Sequence, residues 1–419
     1  MLFRSSYASG VSADGAVVVG MAFNADWQYR AFRWTASGGM QDLGTLGGDW
    51  SEALGVSADG SVVVGWALND ANQQRAFRWT ASGGMQDLGT LGDCCSGAYG
   101  VSADGSVVVG WAWNAAGQWR AFRWTELGGM QGLGTLGGNW SEAWGVSADG
   151  TVVVGWAYNA AGDGRAFRWT ASGGMQDLGT LGGSESAAYA VSADGSVVVG
   201  RAYNLAGHDR AFRWTASGGM QDLGTLRGFY FRSYASDVSA DGSVVVGWSR
   251  NATNQRHAFR WTASGRMQDL GTLGIDYSEA YGVSADGSVV VGWALNTSGF
   301  DRAFRWTASR GMEDLNTTYA SLLTNGSRLW EARAISPDGR YIVGRGYNAA
   351  TNRTEAFLLD TGFPRRGDVD RNGFVDDADL MRVLFAFGGR GYRNEDLNWD
   401  GTIDDADLLQ VLFNFGSGC

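Results

Sequence analysis

Two short acidic segments near the C-terminal end of the sequence have the residue types and spacing of calcium-binding loops. In each segment, oxygen ligands stand at loop positions 1, 3, 5, 7, 9 and 12, and position 6 is glycine. Calcium is a hard cation that needs several oxygens around it, and the glycine permits the sharp turn that brings the loop ends together. The predicted ligands of two Ca²⁺ ions are Asp368, Asp370, Asn372, the Phe374 carbonyl, Asp376 and Asp379 in the first loop, and Asp396, Asn398, Asp400, the Thr402 carbonyl, Asp404 and Asp407 in the second.

The two loops differ from a standard EF-hand in two respects. Position 12 is Asp where the EF-hand has a bidentate Glu, and a single apolar segment follows each loop, at residues 380–387 and 408–415. With these departures, and with the second loop beginning 28 residues after the first (368 to 396), residues 367–418 resemble a type I dockerin over its whole length.

The resemblance to dockerins implies that calcium folds the duplicated module, which then binds a cohesin-like domain on a scaffold or cell surface. In dockerins, loop positions 10 and 11 help to choose the partner. Both copies are identical there, which is consistent with two equivalent binding orientations. The pair differs from the Ser-Thr type of cellulosomes, so a purely structural calcium cap is the alternative. The candidate partner-binding residues are Asp377, Ala378, Asp405 and Ala406.

A repeat of about 45 residues fills most of the remaining chain. The aspartate of a Ser-Ala-Asp-Gly or Ser-Pro-Asp-Gly element recurs every 45 to 52 residues, and each unit has four apolar segments separated by turn residues. Asp-Gly predicts a tight hairpin, because glycine tolerates positive φ and aspartate bonds to the turn backbone. A run such as residues 62–64, all valine, is typical of a strand buried on both faces. The aspartates are Asp14, Asp59, Asp104, Asp149, Asp194, Asp241, Asp286 and Asp338.

Four strands per unit predict an all-β fold, a β-propeller of about eight four-stranded blades, followed by a small α-helical domain with the two calcium loops. An open β-solenoid is the alternative. The Ala-Phe-Arg-Trp elements, with a His-Ala-Phe variant at 257–259, resemble the HAF family of extracellular repeats, and Ser-Pro-Asp-Gly at 336–339 resembles WD40-like repeats. The HAF resemblance covers residues 7–360 and implies an extracellular location.

If the strand order follows WD40-like repeats, each blade takes its outer strand from the preceding unit. The first blade then lacks its outer strand, and the last unit ends at its third strand, at Asp360. Because an unfilled sheet edge is a liability, this order predicts that the natural N-terminal segment is missing. Residues 1–9 show no signal peptide, which the same missing segment would explain.

The strand order also places the connections after the second and fourth strands on one rim and the hairpin turns on the other. The hairpin turns are nearly identical between units, whereas the other rim varies and holds aromatic and acidic residues. Exposed aromatic rings beside carboxylates can stack on sugar rings and bond their hydroxyls, so a glycan is the candidate ligand. The alternative is that these aromatics only pack neighbouring blades. The candidate residues are Trp27, Tyr29, Trp50, Glu52, Trp119, Trp140, Glu142, Tyr277 and Glu279.

Composition excludes several function classes. The net charge of -11 argues against a nucleic-acid partner, since phosphate binding needs clustered basic residues. No stretch of about 18 apolar residues is present, which predicts no membrane span. The three cysteines, Cys94, Cys95 and Cys419, form neither a disulfide framework nor a zinc spacing.

Catalysis has little support in the sequence, which predicts that the chain is not an enzyme. Its two histidines, His208 and His257, stand at non-equivalent repeat positions without a nucleophile motif beside them. Paired carboxylates for glycoside hydrolysis remain open, because Glu52, Glu142 and Glu279 belong to the variable rim.

The predicted organisation is a propeller at 1–360, a linker at 361–366 and a dockerin-like domain at 367–419. The function that fits is a secreted or cell-surface binding or adhesion protein. Its propeller would bind a ligand, and its C-terminal module would attach it to a cohesin-like partner. The alternatives are a dockerin-tethered glycoside hydrolase or lyase, and a purely structural surface protein.

Overall fold

The chain forms a ring of eight β-sheets followed by two short helices. Seven sheets have four antiparallel strands and the eighth has three described strands. This confirms the predicted eight-bladed propeller, and the open solenoid is excluded because the last blade contacts the first. The computed structural model describes residues 5–227, 232–362, 367–370, 374–391, 394–399 and 401–417.

Each blade consists of consecutive strands, numbered β1 to β31 in chain order. Blades 1 to 4 comprise β1 (Ser6–Val11), β2 (Val17–Phe23), β3 (Tyr29–Thr35), β4 (Gly39–Asp42); β5 (Gly47–Val56), β6 (Val62–Asn69), β7 (Gln74–Thr80), β8 (Gly84–Asp87); β9 (Gly92–Val101), β10 (Val107–Asn114), β11 (Trp119–Thr125), β12 (Gly129–Gly132); and β13 (Gly137–Val146), β14 (Val152–Asn159), β15 (Gly164–Thr170), β16 (Gly174–Asp177). Blades 5 to 8 comprise β17 (Gly182–Val191), β18 (Val197–Asn204), β19 (Asp209–Thr215), β20 (Gly219–Asp222); β21 (Ser233–Val238), β22 (Val244–Arg250), β23 (Arg256–Thr262), β24 (Arg266–Asp269); β25 (Gly274–Val283), β26 (Val289–Asn296), β27 (Asp301–Thr307), β28 (Gly311–Asp314); and β29 (Arg328–Ile335), β30 (Tyr341–Asn348), β31 (Arg353–Asp360). The helices are α1 (Leu315–Thr318), a 3₁₀ turn (Ala320–Leu322), α2 (Asp377–Ala386) and α3 (Asp405–Asn414).

The Ser-Ala-Asp-Gly element forms the hairpin between the first two strands of a blade. In blade 1 the Ser12 hydroxyl donates to the Asp14 carboxylate at 2.7 Å and accepts from the Val17 amide at 2.9 Å. Gly15 has a φ of 70°, which residues with a Cβ rarely adopt. These local bonds hold the turn, so the element fixes the hairpin as the sequence predicts.

Apolar side chains between neighbouring blades form the cores of the ring. Between blades 1 and 2, Val19 packs with Phe77 and Trp79, and all three are buried. After the fourth strand of blade 1, Leu43 joins this core, and its amide donates to the Ala31 carbonyl at 2.9 Å. The equivalent buried leucines of the other four-stranded blades are Leu88, Leu133, Leu178, Leu223, Leu270 and Leu315.

The observed strand order differs from the predicted one. Each four-stranded sheet uses the strands of one sequence unit, because the fourth strand pairs with the third across a short hairpin, as Thr35 does with Gly39. The prediction that a blade takes its outer strand from the preceding unit was wrong, since this hairpin is a local contact that fixes the pairing. Blade 1 is complete, and blade 8 lacks a fourth strand within the described residues.

The ring closes between blades 8 and 1 with a contact that also joins other blades. The Ala31 amide of blade 1 donates to the Ser51 hydroxyl of blade 2 at 2.9 Å. In the same way, the Ala356 amide of blade 8 donates to the Ser6 hydroxyl at 2.9 Å, across 350 residues.

A second series of hydrogen bonds links the Asp-Gly turns of successive blades. It begins with the Ala13 amide, which donates to the Ala58 carbonyl at 2.8 Å, and ends with the Ala285 amide, which donates to the Pro337 carbonyl at 2.8 Å. Pro337 has no amide hydrogen, so it cannot continue the series into blade 1.

The C-terminal residues form two similar halves that complete each other. The Val375 amide in the first loop donates to the Ser417 carbonyl after α3 at 2.8 Å, and the Ile403 amide in the second loop donates to the Gly389 carbonyl after α2 at 3.0 Å. Their side chains belong to one buried cluster with Val383 of α2 and Val411 of α3. Within the residues described, no helix has the length and apolar character needed to cross a membrane.

Candidate functional site

The first predicted calcium loop brings three of its carboxylates together. Asp368, Asp370 and Asp379 each place one oxygen within 4.8 Å of the other two. Asp379 is fully buried, and Asp368 is also buried. Carboxylates this close repel one another unless a cation lies between them, and oxygen ligands suit calcium. These residues therefore fit a Ca²⁺ site, whereas the predicted ligand Asn372 lies outside the described residues.

Asp379, at position 12, ties the first loop to the start of α2. One of its oxygens accepts from the Val369 amide at 2.7 Å and from the Asp370 amide at 3.0 Å, and the other accepts from the Asp376 amide at 2.9 Å. Asp407 accepts the three equivalent bonds in the second loop. Each loop is therefore closed by its own buried aspartate carboxylate, which stands at position 12 in both.

The second loop folds around its position 6 glycine. The carboxylate of the buried Asp396, at position 1, accepts from the Gly401 amide at 2.9 Å. Gly401 has a φ of 88°, which explains why this position is glycine. The predicted ligand Asp400 lies outside the described residues, and the exposed Thr402 forms an antiparallel bridge with Arg390.

The carboxylates at position 9 have a role that the sequence analysis missed. Asp376 caps α2 by accepting from the Ala378 amide at 2.8 Å, and Asp404 caps α3 by accepting from the Ala406 amide at 2.8 Å. Each cap forms a capping box with the Asp three residues later. The Asp-x-x-Asp spacing is the signal that could have revealed this. Calcium ligation by these two residues stays a prediction.

The candidate partner-binding residues lie at the start of the two helices. Asp377 and Ala378 in α2, and Asp405 and Ala406 in α3, are all exposed. They occupy equivalent places, as the identical sequence predicts.

The structure adds a feature that the sequence analysis missed, an exposed apolar face on each helix. Phe385 and its equivalent Phe413 are each 82% exposed. Exposed apolar patches on a folded surface mark interaction sites. The signal was present in the sequence, since each eight-residue apolar segment is too apolar for a helix that buries one side. The other exposed members are Met381, Leu384 and Phe387 in the first half and Leu409, Leu412 and Phe415 in the second.

On the propeller rim, candidate aromatic residues form pairs across blade boundaries. The ring centroids of Tyr29 in blade 1 and Trp50 in blade 2 are 5.4 Å apart, and those of Trp119 in blade 3 and Trp140 in blade 4 are 5.7 Å apart. Trp50 is 44% exposed and Trp140 is 46% exposed. These rings therefore pack the blades and are also partly exposed to solvent.

In other blades, charged residues occupy the repeat positions of Tyr29 and Trp50. The Arg256 guanidinium of blade 6 lies 5.4 Å from the ring centroid of Tyr277 in blade 7. In blade 5, Asp209 forms an ion pair of 3.8 Å with Arg232. Trp27 lies in the turn between β2 and β3 and is highly exposed, with a left-handed φ of 61°. The rim thus varies in chemistry from blade to blade.

The three candidate glutamates do not form one cluster. Burial raises the pKa of Glu52, although the Trp66 indole donates to its carboxylate at 3.0 Å, and burial also raises the pKa of Glu142. Tyr99, on the innermost strand of blade 3, interacts with both carboxylates, which add to the effect of burial in raising its pKa. Glu279 is buried and forms an ion pair with Arg256 on the other side of the ring.

The sequence analysis missed a further set of aromatic residues on the innermost strands. They stand three positions after the repeated serine, as Tyr99 does after Ser96. Trp144 of blade 4 stacks on Tyr189 of blade 5 with ring centroids 5.4 Å apart. The signal was that this position changes residue type between units, whereas the residue before it is always alanine.

Cys94 and Cys95 form a disulfide between adjacent residues. Cys95 occupies the rim position that holds Trp50 in blade 2 and Trp140 in blade 4. Cys419 lies outside the described residues.

No protein-family model matches the chain, and no curated protein matches its sequence. Solved structures share its fold. A prolyl endopeptidase aligns over 75% of this chain and 50% of its own, with 11% identity and a TM-score of 0.53. TolB from Acinetobacter baumannii aligns over 72% of this chain and 80% of its own, with 13% identity and a TM-score of 0.39. At these identities the likeness shows the propeller fold alone.

The comparisons contradict the prediction that the chain is not an enzyme. Prolyl endopeptidase, which is an enzyme, contains a propeller of this fold. The argument from a missing nucleophile motif failed because catalytic groups come together in space, and a repeat sequence does not display them. The fold gives no ground for excluding activity, and at this identity it assigns no reaction.

Proposed function

We propose that this chain is a secreted or cell-surface binding protein. The rim of its propeller binds a ligand, with glycans as the candidate class, and its C-terminal module attaches it to a cohesin-like partner when calcium is bound. The single observation that supports attachment most is the duplicated apolar face, in which Phe385 and Phe413 have the same 82% exposure.

This apolar face is well suited to a protein partner. Removing apolar area from water stabilises a complex by about 25 cal/mol per Å². A Phe ring that is mostly exposed in the free protein contributes nearly its full side-chain area on binding. Aromatic anchors of this kind are enriched among the residues that dominate binding energy.

Calcium dependence follows from the position of the loops. Asp379 and Asp407 join the loops to the first turns of α2 and α3. The ions would be held by the predicted ligands, of which Asp368, Asp370 and Asp379 are already close together. Without a cation, repulsion among these carboxylates opens the loops and releases the helices. Attachment therefore requires calcium, and extracellular modules bind calcium with dissociation constants of about 10⁻⁴ to 10⁻³ M.

Glycan binding is supported by the exposed rim aromatics. Trp50 and Trp140 present ring faces that can stack on sugars, and each is held by an aromatic partner from the neighbouring blade. The HAF resemblance supports the extracellular location in which such ligands occur.

The attachment proposal is tested with the full chain as bait for native secreted and cell-envelope proteins, once with calcium and once with a chelator. A double variant, Phe385→Ser with Phe413→Ser, is the matched control. We expect one partner with a cohesin-like domain, captured only with calcium and only by the unchanged chain. A chain that binds calcium and captures no such partner would instead have a structural cap.

The ligand proposal is tested with a glycan panel, using a Trp50→Ala and Trp140→Ala double variant as control. Binding that the double variant loses supports the rim as the glycan site. Uniform failure on the panel contradicts a glycan ligand, and cleavage of a bound glycan would identify the enzymatic alternative.

A further inference from the structure

Four of the innermost strands have a glutamate at the same place in the blade. This residue pairs with the fifth residue of the second strand, as Glu52 of blade 2 pairs with Trp66. The other three are Glu142 in blade 4, Glu279 in blade 7 and Glu331 in blade 8. Because their positions are equivalent, the partners of these glutamates can be compared directly.

Two of the four glutamates are neutralised by arginine. Glu279 forms an ion pair with Arg256. Glu331 forms ion pairs of 2.7 Å with Arg333 and 2.6 Å with Arg345. Both glutamates are buried, where a carboxylate without a counter-charge is costly. The arginine side chains therefore supply the positive charge that a carboxylate at this place requires.

Each of these guanidinium groups also lies against an aromatic ring. The Arg256 guanidinium is 4.1 Å from the ring centroid of Trp248, and the Arg333 guanidinium is 5.3 Å from that of Tyr281. Arg345 lies over a ring in the same way. A positive charge is attracted to the face of an aromatic ring. This part of the ring thus repeatedly holds a cation between a carboxylate and an aromatic side chain.

Glu52 and Glu142 have no arginine at the equivalent places. Around them, the repeat positions of Arg256, Arg333 and Arg345 hold uncharged side chains, most of which are aromatic. These are Tyr29, Leu54 and Trp66 around Glu52, and Trp119, Trp144 and Trp156 around Glu142. Both blades therefore keep the carboxylate and the aromatic rings, and neither supplies a cationic side chain from these positions.

Glu52 and Glu142 are half-buried without a positive counter-charge. Burial raises the pKa of both carboxyl groups, and the hydrogen bonds that oppose this effect come from the uncharged side chains of Trp66, Tyr99 and Trp144. Within the described ranges, neither carboxylate forms an ion pair. Tyr99, in blade 3 between them, interacts with both carboxylates. A cation here would gain more than beside a fully solvated carboxylate, because partial burial lowers the local dielectric constant.

We infer that Glu52, Glu142 and the aromatic residues around them bind the protonated amine of an amino sugar. The amine takes the place that arginine takes beside Glu279 and Glu331. An amino sugar is favoured over other amines because each of the two glutamates stands two residues after a partly exposed tryptophan of the proposed glycan site, Trp50 or Trp140. The inference rests on the glycan ligand proposed above and specifies its charge.

The test compares three β-1,4-linked tetrasaccharides, built of glucosamine, of N-acetylglucosamine and of glucose. Their binding to the 419-residue chain is measured by isothermal titration calorimetry at about pH 6, where an amine is protonated. Only the glucosamine tetramer then carries positive charge. We expect it to bind about tenfold more tightly than the other two, or better, because its amines form charged hydrogen bonds to the carboxylates.

Two variants locate the amine. Glu52→Gln combined with Glu142→Gln removes both charges and keeps the side-chain shape, and we expect it to lower the affinity for the glucosamine tetramer to that for the uncharged sugars. Glu126→Gln is the matched control, because it removes an exposed carboxylate from the hairpin turn between β11 and β12, on the opposite rim. This control should bind all three sugars as the unchanged chain does.

Four results would overturn the inference. Equal binding of the three tetrasaccharides would do so and would leave the glycan proposal standing. If none of them binds, the inference fails, and the glycan panel described above decides separately on the glycan proposal. Tight binding of the glucosamine tetramer that the double Gln variant retains would place the amine elsewhere on the rim. Equally tight binding of a lysine tetrapeptide would assign the site to a protein amine.

Discussion

Trp119 in blade 3 and Trp140 in blade 4 stand 21 positions apart in the sequence (119 to 140), and their ring centroids lie 5.7 Å apart across the blade boundary. The same two repeat positions bring Tyr29 to Trp50. Aromatic residues 21 positions apart in the repeat therefore form a contact that joins two neighbouring blades and is also partly exposed to solvent. Binding residues can vary at these positions because the remaining blade core does not depend on them.

The aromatic pair should contribute a measurable coupling energy to stability. We expect a double-mutant cycle of Trp119→Ala and Trp140→Ala to give about 0.5 to 1.5 kcal/mol, measured by denaturant unfolding. Leu127→Ala, at a fully exposed side chain, is the control and should change stability little. A coupling near zero would mean that the two rings do not support each other.

Asp379 should be necessary for one of the two calcium ions. Asp379→Ala removes a predicted ligand and the acceptor of three backbone amides, so calorimetry should record one bound ion in place of two. Asp377→Ala changes an exposed carboxylate in the same helical turn and should leave two. Two ions in both variants would contradict the assigned role of Asp379.

The two apolar helix faces should be interchangeable in partner binding. Because a partner can use either half, Phe385→Ala alone and Phe413→Ala alone should each weaken binding less than about threefold, whereas the double variant should weaken it by about 30-fold or more. Surface plasmon resonance against the captured partner measures this. Loss of binding in one single variant would assign the contact to that half alone.

Asp237 should make stability depend on pH. It stands where the other blades have Gly or Ala, and burial raises its pKa to about 6 although the Val238 and Val283 amides donate to it. A carboxyl with a raised pKa binds its proton more tightly in the folded state, so its contribution to stability falls as pH rises from about 4 to 6. Asp237→Asn should match the unchanged chain near pH 4 and exceed it above pH 6, by at most about 3 kcal/mol.

Asp241 is the control with the opposite sign. Burial acts to raise its pKa, but hydrogen bonds from the Ser243 amide and the Ser239 hydroxyl outweigh burial, so its pKa is lowered. Its stabilising contribution is therefore present at neutral pH and is lost as pH falls. Asp241→Asn should destabilise the chain at neutral pH and have little effect in acid, as measured by thermal unfolding in a pH series. Equal behaviour of the two variants would contradict both assignments.

The sequence was sufficient for features that depend on local chemistry. The Asp-Gly hairpins and the valine strands are set by residues within one turn or one strand, where spacing determines geometry. The calcium loops rest on the same kind of local spacing, and calcium binding stays a prediction. The prediction of which strand joins which blade was wrong because analogy to another repeat family outweighed the hairpin at residues 36–38.

Contacts between units could not be obtained from the sequence. Glu52 and Glu142 both interact with Tyr99, yet they belong to different blades. Nothing in the repeat shows that Glu279 is neutralised by Arg256. These relations depend on the rotation from one blade to the next, which repeat spacing does not encode. The cap role of Asp376 is different, since its spacing to Asp379 was visible and was assigned to calcium alone.

The boundary between blades 8 and 1 has a consequence for how the ring folds and opens. Neighbouring blades elsewhere meet across short sequence distances, such as the 20 residues between Ala31 and Ser51, and can assemble early. The Ser6 to Ala356 contact spans 350 residues, and Pro337 has no amide hydrogen to donate a turn bond to blade 1. This boundary should form last during folding, and on heating it should exchange its amide hydrogens first. The boundary between blades 8 and 1 should therefore be the least stable of the eight blade boundaries.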